Sequence, residues 1–156
     1  MIDLFKEKYA FLSNFYPCEI LYKGVIFPTL ENVYQAAKYD GEDAATVYQE
    51  FAQITPGKAK RKGSKLSCRT DWDKIKLQVM EKLLRLKFAQ PYFKELLLAT
   101  GEQELIEGNY WHDNFWGSCF CEKCGNRGQN HLGKLLIILR SEYKSTDIGI
   151  KADEKI

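Results

Sequence analysis

A predominantly helical α+β fold with one short β-hairpin, in a single compact domain, is what this sequence predicts, on three observations. Apolar residues recur at helical spacing in most segments from residue 30 onward. One pair of β-prone runs, Glu19–Tyr22 and Val25–Phe27, is separated only by Lys23-Gly24, the pattern of a tight hairpin. A length of 156 residues suffices for one sizeable core and requires no second domain.

The elements follow in order. Pro28 stops the hairpin, and Thr29 is placed to cap a helix over Leu30–Tyr39, in which Leu30, Val33, Tyr34 and Ala37 form one apolar stripe. Gly41 ends it. A second helix is expected over Asp43–Gln53, and Pro56 opens a short third one that Gly63 closes. The longest helical signal starts at Thr70 or Asp71 and carries Trp72, Ile75, Val79, Met80, Leu83, Leu84 and Phe88, a stripe broad enough for the central core helix. Pro91 suits the first turn of the next helix, which holds Tyr92, Phe93, Leu96 and Leu97 and stops at Thr100-Gly101. Glu104–Glu107 reads as a short strand, and Gly128-Gln129-Asn130 introduces a final helix with Leu132, Leu135, Leu136 and Leu139 inward. Periodicity fades after about Tyr143, so the domain is expected over residues 1–143, with a flexible tail over 144–156.

Composition narrows the function classes. A net charge of +2 is too small to argue for wrapping a nucleic-acid duplex, so a nucleotide partner would be held in a pocket. The first residues carry charges where a signal peptide has its apolar run, and no segment reaches the ~20 apolar residues of a membrane span, so a cytoplasmic protein without membrane contact is expected. No glycine-rich phosphate loop is present, and His112 and His131, the two histidines, lack a Ser or Cys at triad spacing.

The most informative stretch runs from Leu105 to Gly117, which places four aromatic residues, an acid, two Asn and a His between two glycines. A core segment would need a hydrogen-bond partner for each of those polar groups, whereas a sugar or base pocket uses them all. Trp111 and Trp116 are candidates for stacking on a base or ribose, and Asp113 between them for orienting a hydroxyl or activating water. A polar turn between core aromatics is the competing reading.

Five cysteines, an odd number, argue against a fully paired secreted disulfide framework. Cys119, Cys121 and Cys124 cluster near both histidines, so a tetrahedral zinc site with one histidine as fourth ligand is conceivable. Structural zinc sites generally use two separated ligand pairs, and only one pair is evident here. The expectation is therefore no metal, with reduced thiols in a surface loop, and Cys18 and Cys68 as ordinary small apolar residues.

Glu31 and Lys38 stand seven apart on the expected helix, about 10 Å along its axis, with Tyr34 and Gln35 between them. A carboxylate there can stabilise an oxocarbenium-like centre or move a proton, and an amine of lowered pKa can attack an anomeric carbon. A solvated charge pair is the alternative. Asn14 can bind ribose hydroxyls or merely cap its turn. Lys60, Arg61 and Arg69 are candidate phosphate contacts or a solvated basic face.

Read in order, Phe11-Leu12-Ser13-Asn14-Phe15-Tyr16, Glu31-Asn32-Val33-Tyr34-Gln35-Ala36-Ala37-Lys38 and Ala59-Lys60-Arg61-Lys62-Gly63 begin a pattern. Arg69-Thr70-Asp71-Trp72, Lys87-Phe88, Asp113-Asn114-Phe115-Trp116-Gly117 and Gly128-Gln129-Asn130-His131-Leu132-Gly133-Lys134 continue it. In this order the chain resembles the NADAR superfamily, which includes the YbiA-like N-glycosidases, across roughly residues 9 to 140. The resemblance implies cleavage of N-glycosidic bonds in ribose-containing substrates, either reactive intermediates of riboflavin synthesis or ADP-ribosylated guanine in nucleic acid. It also favours Lys38 as a covalent centre, and implies no redox cofactor. The sequence departs from the family pattern in the cysteine loop between Trp116 and Gly128. A non-catalytic ADP-ribose or nucleotide sensor using the same pocket is the alternative function, and a zinc-dependent interaction module a third.

Overall fold

The computed structural model describes residues 1–153, with side chains through Asp147. Its backbone separates into two compact units. One is Asn14–Lys87; the other joins Met1–Ser13 to the chain from Phe88 onward.

In the 14–87 unit, Lys23 and Gly24 both take left-handed φ angles, 48° and 79°, the geometry a two-residue hairpin turn requires. They join β1 (Pro17–Tyr22) to β2 (Val25–Thr29) as an antiparallel pair in which Ile20 faces Phe27 and Tyr22 faces Val25. Alternation puts Cys18, Ile20, Tyr22, Val25 and Phe27 inward and leaves Leu21 and Ile26 exposed. Pro28 does not stop the hairpin. It lies inside β2, at an exposed position of an edge strand, where its missing N–H costs nothing.

Thr29 caps α1 (Leu30–Ala36) as expected, its side chain accepting from Asn32 N. All seven residues of α1 are buried, including Glu31, Asn32 and Gln35. Around it lie α2 (Ala44–Ala52) and α3 (Pro56–Gly63), the latter capped by Thr55 with Pro56 in its first turn. Asn32 Nδ2 donates to the carbonyls of Phe51 and Ile54, at 2.8 and 2.7 Å, which ties α1 to the end of α2. The helix stops at Ala36 rather than Tyr39. Lys38 N and Tyr39 N close tight turns onto Gln35 O and Ala36 O, and Lys38 O is taken by Arg69 N at 2.8 Å. α4 (Trp72–Phe88) buries Trp72, Met80, Leu83, Leu84 and Phe88 of the stripe read from the sequence and leaves Ile75 and Val79 half-buried. Cys68 is exposed rather than apolar filling.

In the other unit, a 3-10 helix over Glu7–Leu12, which the sequence reading missed, buries Phe11 and Leu12. α5 (Pro91–Ala99) buries Phe93 and Leu97, and Phe88 meets Phe93 edge to face. Residues 104–107 are not a strand: Leu105 makes an isolated parallel bridge to Ile2, and two very short strands follow, β3 (Gly108–Asn109) and β4 (Ser118–Cys119), paired in parallel. α6 runs from His131 to Asp153 and buries Leu132, Leu136 and Leu139. It therefore continues through much of the segment expected as a flexible tail; Lys144 and Asp147 bond back to Gly101 O and Lys94. Residues 154–156 lie outside those described. Among the described residues no helix is long and apolar enough to cross a membrane.

Candidate active site

A short helix buried on every side is ordinarily apolar all round. α1 is not, and its buried polar residues gather in one cluster. Thr29 starts α1 directly after β2, so the hairpin fixes the helix's first turn, and Glu31 N donates to Asn14 O at 3.0 Å, holding the turn that carries Asn14 against it. Glu31 is 7% exposed, and Gln35, one turn later, donates from Nε2 to its Oε1 at 2.7 Å. Asn14 is buried too, its amide 3.6 Å from Met80 Sδ. Among the described residues Asn14 Oδ1 and Gln35 Oε1 are buried acceptors with no hydrogen-bond donor. Two orphaned acceptors in one small cluster cost free energy that a hydroxyl-rich ligand would recover.

Lys38 follows α1 on the turn and is partly buried. Burial pushes its amine below the ordinary lysine pKa, while the Glu31 carboxylate pulls it up and the Lys60 ammonium adds to the lowering. Its Nζ lies 5.8 Å from the centre of the Tyr34 ring, which in turn packs on Trp72 at 5.2 Å. Within this unit, then, Asn14, Glu31, Tyr34, Gln35 and Lys38 lie close together. Lys60 is exposed, with its ammonium 6.0 Å from the Phe15 ring, and Arg69 forms a two-bond pair with Asp71, at 2.6 and 3.1 Å. That pair restrains the guanidinium and leaves it no more than a partial phosphate contact. The role of Gly63 was not legible as such. A Cβ there would stand 1.9 Å from Gln35 Oε1, so this glycine of α3 makes room for the Gln35 amide.

Asp113, Trp111 and Trp116 belong to the other unit. Asp113 Oδ1 accepts from Phe115 N and Trp116 N, at 3.1 and 3.0 Å, so one carboxylate oxygen caps its own loop and only the second is left for a substrate or water. Trp111 is exposed, and Trp116 packs edge-on against Phe115 at 4.8 Å, with His131 also in contact with Phe115. Asn109 and Asn114 escaped the sequence reading as organisers. Asn109 Oδ1 accepts from Trp111 N and Asp113 N while its Nδ2 donates to Asp113 O; Asn114 Oδ1 accepts from Cys119 N. The signal was the crowding of Asn between glycines, which here serves loop closure.

The model of the NADAR domain matches residues 4–144. The N-glycosidase Npun_R5314 of Nostoc punctiforme is 38% identical over 143 residues, covering 89% of this chain and 88% of the relative. The N-glycosidase YbiA of Escherichia coli is 35% identical over 87% of this chain and 82% of its own length. A riboflavin biosynthesis protein of Vibrio vulnificus, VVA0006, is 34% identical over 88% of this chain, which corresponds to 36% of that longer protein. The NMR structure of E. coli YbiA superposes with a TM-score of 0.75 at 33% identity, over 95% of this chain and 89% of YbiA. The chain belongs to the NADAR domain family.

Proposed function

We propose that this protein is a hydrolase that cleaves the N-glycosidic bond of a ribose-containing nucleotide. The observation that carries the reading is the buried group of Glu31, Gln35 and Asn14 beside Lys38, whose amine burial keeps more readily neutral. A neutral amine is a nucleophile; next to a buried carboxylate it has both halves of a transimination. In the proposed sequence the ribose opens to expose an electrophilic C1′, and Lys38 Nζ forms a bond to it. The C1′–N bond to the base then breaks, the base leaving as a free amine after taking a proton that Glu31 relays. Water adds to the Lys38 Schiff base, the C1′–Nζ bond breaks, and the open sugar leaves with Lys38 regenerated. Asn14 and Gln35 supply acceptors for ribose hydroxyls, and Lys60 supplies a cation for phosphate.

The finer substrate we favour is a free aminated ribosyl-pyrimidine phosphate of riboflavin synthesis. The names of relatives such as VVA0006 and the chloroplastic PYRR of Zea mays support it, as does a net charge of only +2. The deciding experiment is a side-by-side hydrolysis assay on that class of compound and on ADP-ribosyl-guanosine, with borohydride present to trap an imine. The expected outcome is turnover of the pyrimidine substrate and a ribose-derived mass on Lys38. Lys38→Arg keeps the charge but removes the nucleophile, so both adduct and turnover should vanish. Preference for ADP-ribosyl-guanosine would move the substrate class; tight binding of both without turnover would make the protein a sensor; activity retained in Lys38→Arg would remove the covalent step.

A further inference from the structure

Between His112 and Cys124 the chain brings together four groups of one chemistry. His112 Nδ1 lies 3.3 Å from Cys124 Sγ, 3.5 Å from Cys121 Sγ and 3.8 Å from Cys119 Sγ. All four ligating atoms fall within 4.8 Å of one another. For a tetrahedral ion with bonds of about 2.3 Å to sulfur and 2.0 Å to nitrogen, the nitrogen–sulfur edges should be about 3.5 Å. The three distances straddle that value. Hydrogen bonding alone does not gather three thiols around one imidazole nitrogen, which can satisfy one of them.

The scaffold is built for the convergence. The pairing of β3 with β4 sets Asn109 beside Cys119, and the Asn109 side chain closes the turn that presents His112, whose φ of 67° is left-handed. A histidine in that region carries strain that the closed turn around it must hold in place. Across the cluster, the Cys121–Cys124 turn is closed by Cys124 N and Gly125 N on Cys121 O, and Gly125 takes a φ of 61° to complete it. Asn114 Oδ1 accepts from Cys119 N at 2.9 Å and fixes the third cysteine beside them.

We propose that His112, Cys119, Cys121 and Cys124 bind one zinc ion. The reading of the sequence as metal-free is thereby replaced: the ligand pair that spacing failed to supply comes from His112 and Cys119 across the two short strands. Binding takes the three thiol protons to solvent and leaves the imidazole neutral. Three sulfurs and a nitrogen at these separations select zinc over harder cations, and a single ion over a two-iron cluster, whose ligands would be spread further apart. Four protein ligands leave no open position, so the ion is structural. It cross-links the turn bearing Trp111 and Asp113 to β4.

The test is metal analysis of the whole untagged chain, purified under reducing conditions with zinc present. About one zinc per chain is expected, falling to background in His112→Ala and in Cys121→Ser/Cys124→Ser, while Cys68→Ser, which alters an exposed thiol outside the cluster, keeps it. Should the ligand variants fail to fold, cobalt(II) titrated into the stripped wild-type chain decides instead. The intense absorption of a tetrahedral thiolate site supports the proposal; an octahedral spectrum, or none, overturns it. A chain that remains metal-free after reconstitution, or zinc retained in full by both ligand variants, overturns it equally.

Discussion

Lys38 is the residue whose chemistry depends most on its setting. Burial lowers its pKa from the ordinary 10.5, so the unfolded chain holds the proton more tightly than the native one. Between the two values stability rises with pH, and the contribution is lost as pH falls through the native value. Denaturation measured across alkaline pH should show that slope in the wild type and lose it in Lys38→Met. The same titration should appear as a rising limb of turnover with a midpoint below 10.5. Glu31 is the companion. Glu31→Gln preserves the shape and the Gln35 contact, so binding should persist while cleavage slows by roughly two orders of magnitude or more. An unchanged single-turnover rate would remove Glu31 from the proton transfer.

At the scale of elements, much was legible because helix stripes, caps and turns are local. The Thr29 and Thr55 caps, the Lys23-Gly24 turn and the stripe of α4 all follow from neighbouring residues. What spacing could not reveal were contacts between distant segments. The end of α1 is set by Arg69 reaching Lys38 O, β3 and β4 pair across an eight-residue loop, and His112 meets its cysteines only after that pairing. The polar set Asn14, Glu31 and Gln35 could be listed from sequence, but its burial could not, since exposed Glu and Gln are the norm on helices. Gly63 offers a test of how α3 supports α1. Gly63→Ala should push the Gln35 amide off Glu31, lowering turnover more than thermal stability, and its effect should not add to that of Gln35→Ala in a double-mutant cycle. Full additivity would separate the two residues.

For the molecule as a whole, the chain starts in one unit, builds the 14–87 unit, and returns to the first, while the family match runs through both. The consequence concerns the order of folding. Seven residues are far too few for α1 to hold together alone, where about 12 or more are needed even in favourable sequences. The buried Nδ2 of Asn32 also lacks its acceptors until the carbonyls of Phe51 and Ile54 are in place. The segment bearing Glu31 and Gln35 must therefore consolidate after α2 has docked, and conservative substitutions in α1 should speed unfolding while barely slowing refolding. Stopped-flow refolding of Val33→Ala gives the measure, and a φ-value near one would place α1 in the nucleus instead. On the proposed mechanism, a chain that assembles in this order acquires the Lys38 nucleophile only once α2 has docked, so a copy released before that step carries no amine poised to form imines with the aldehydes around it.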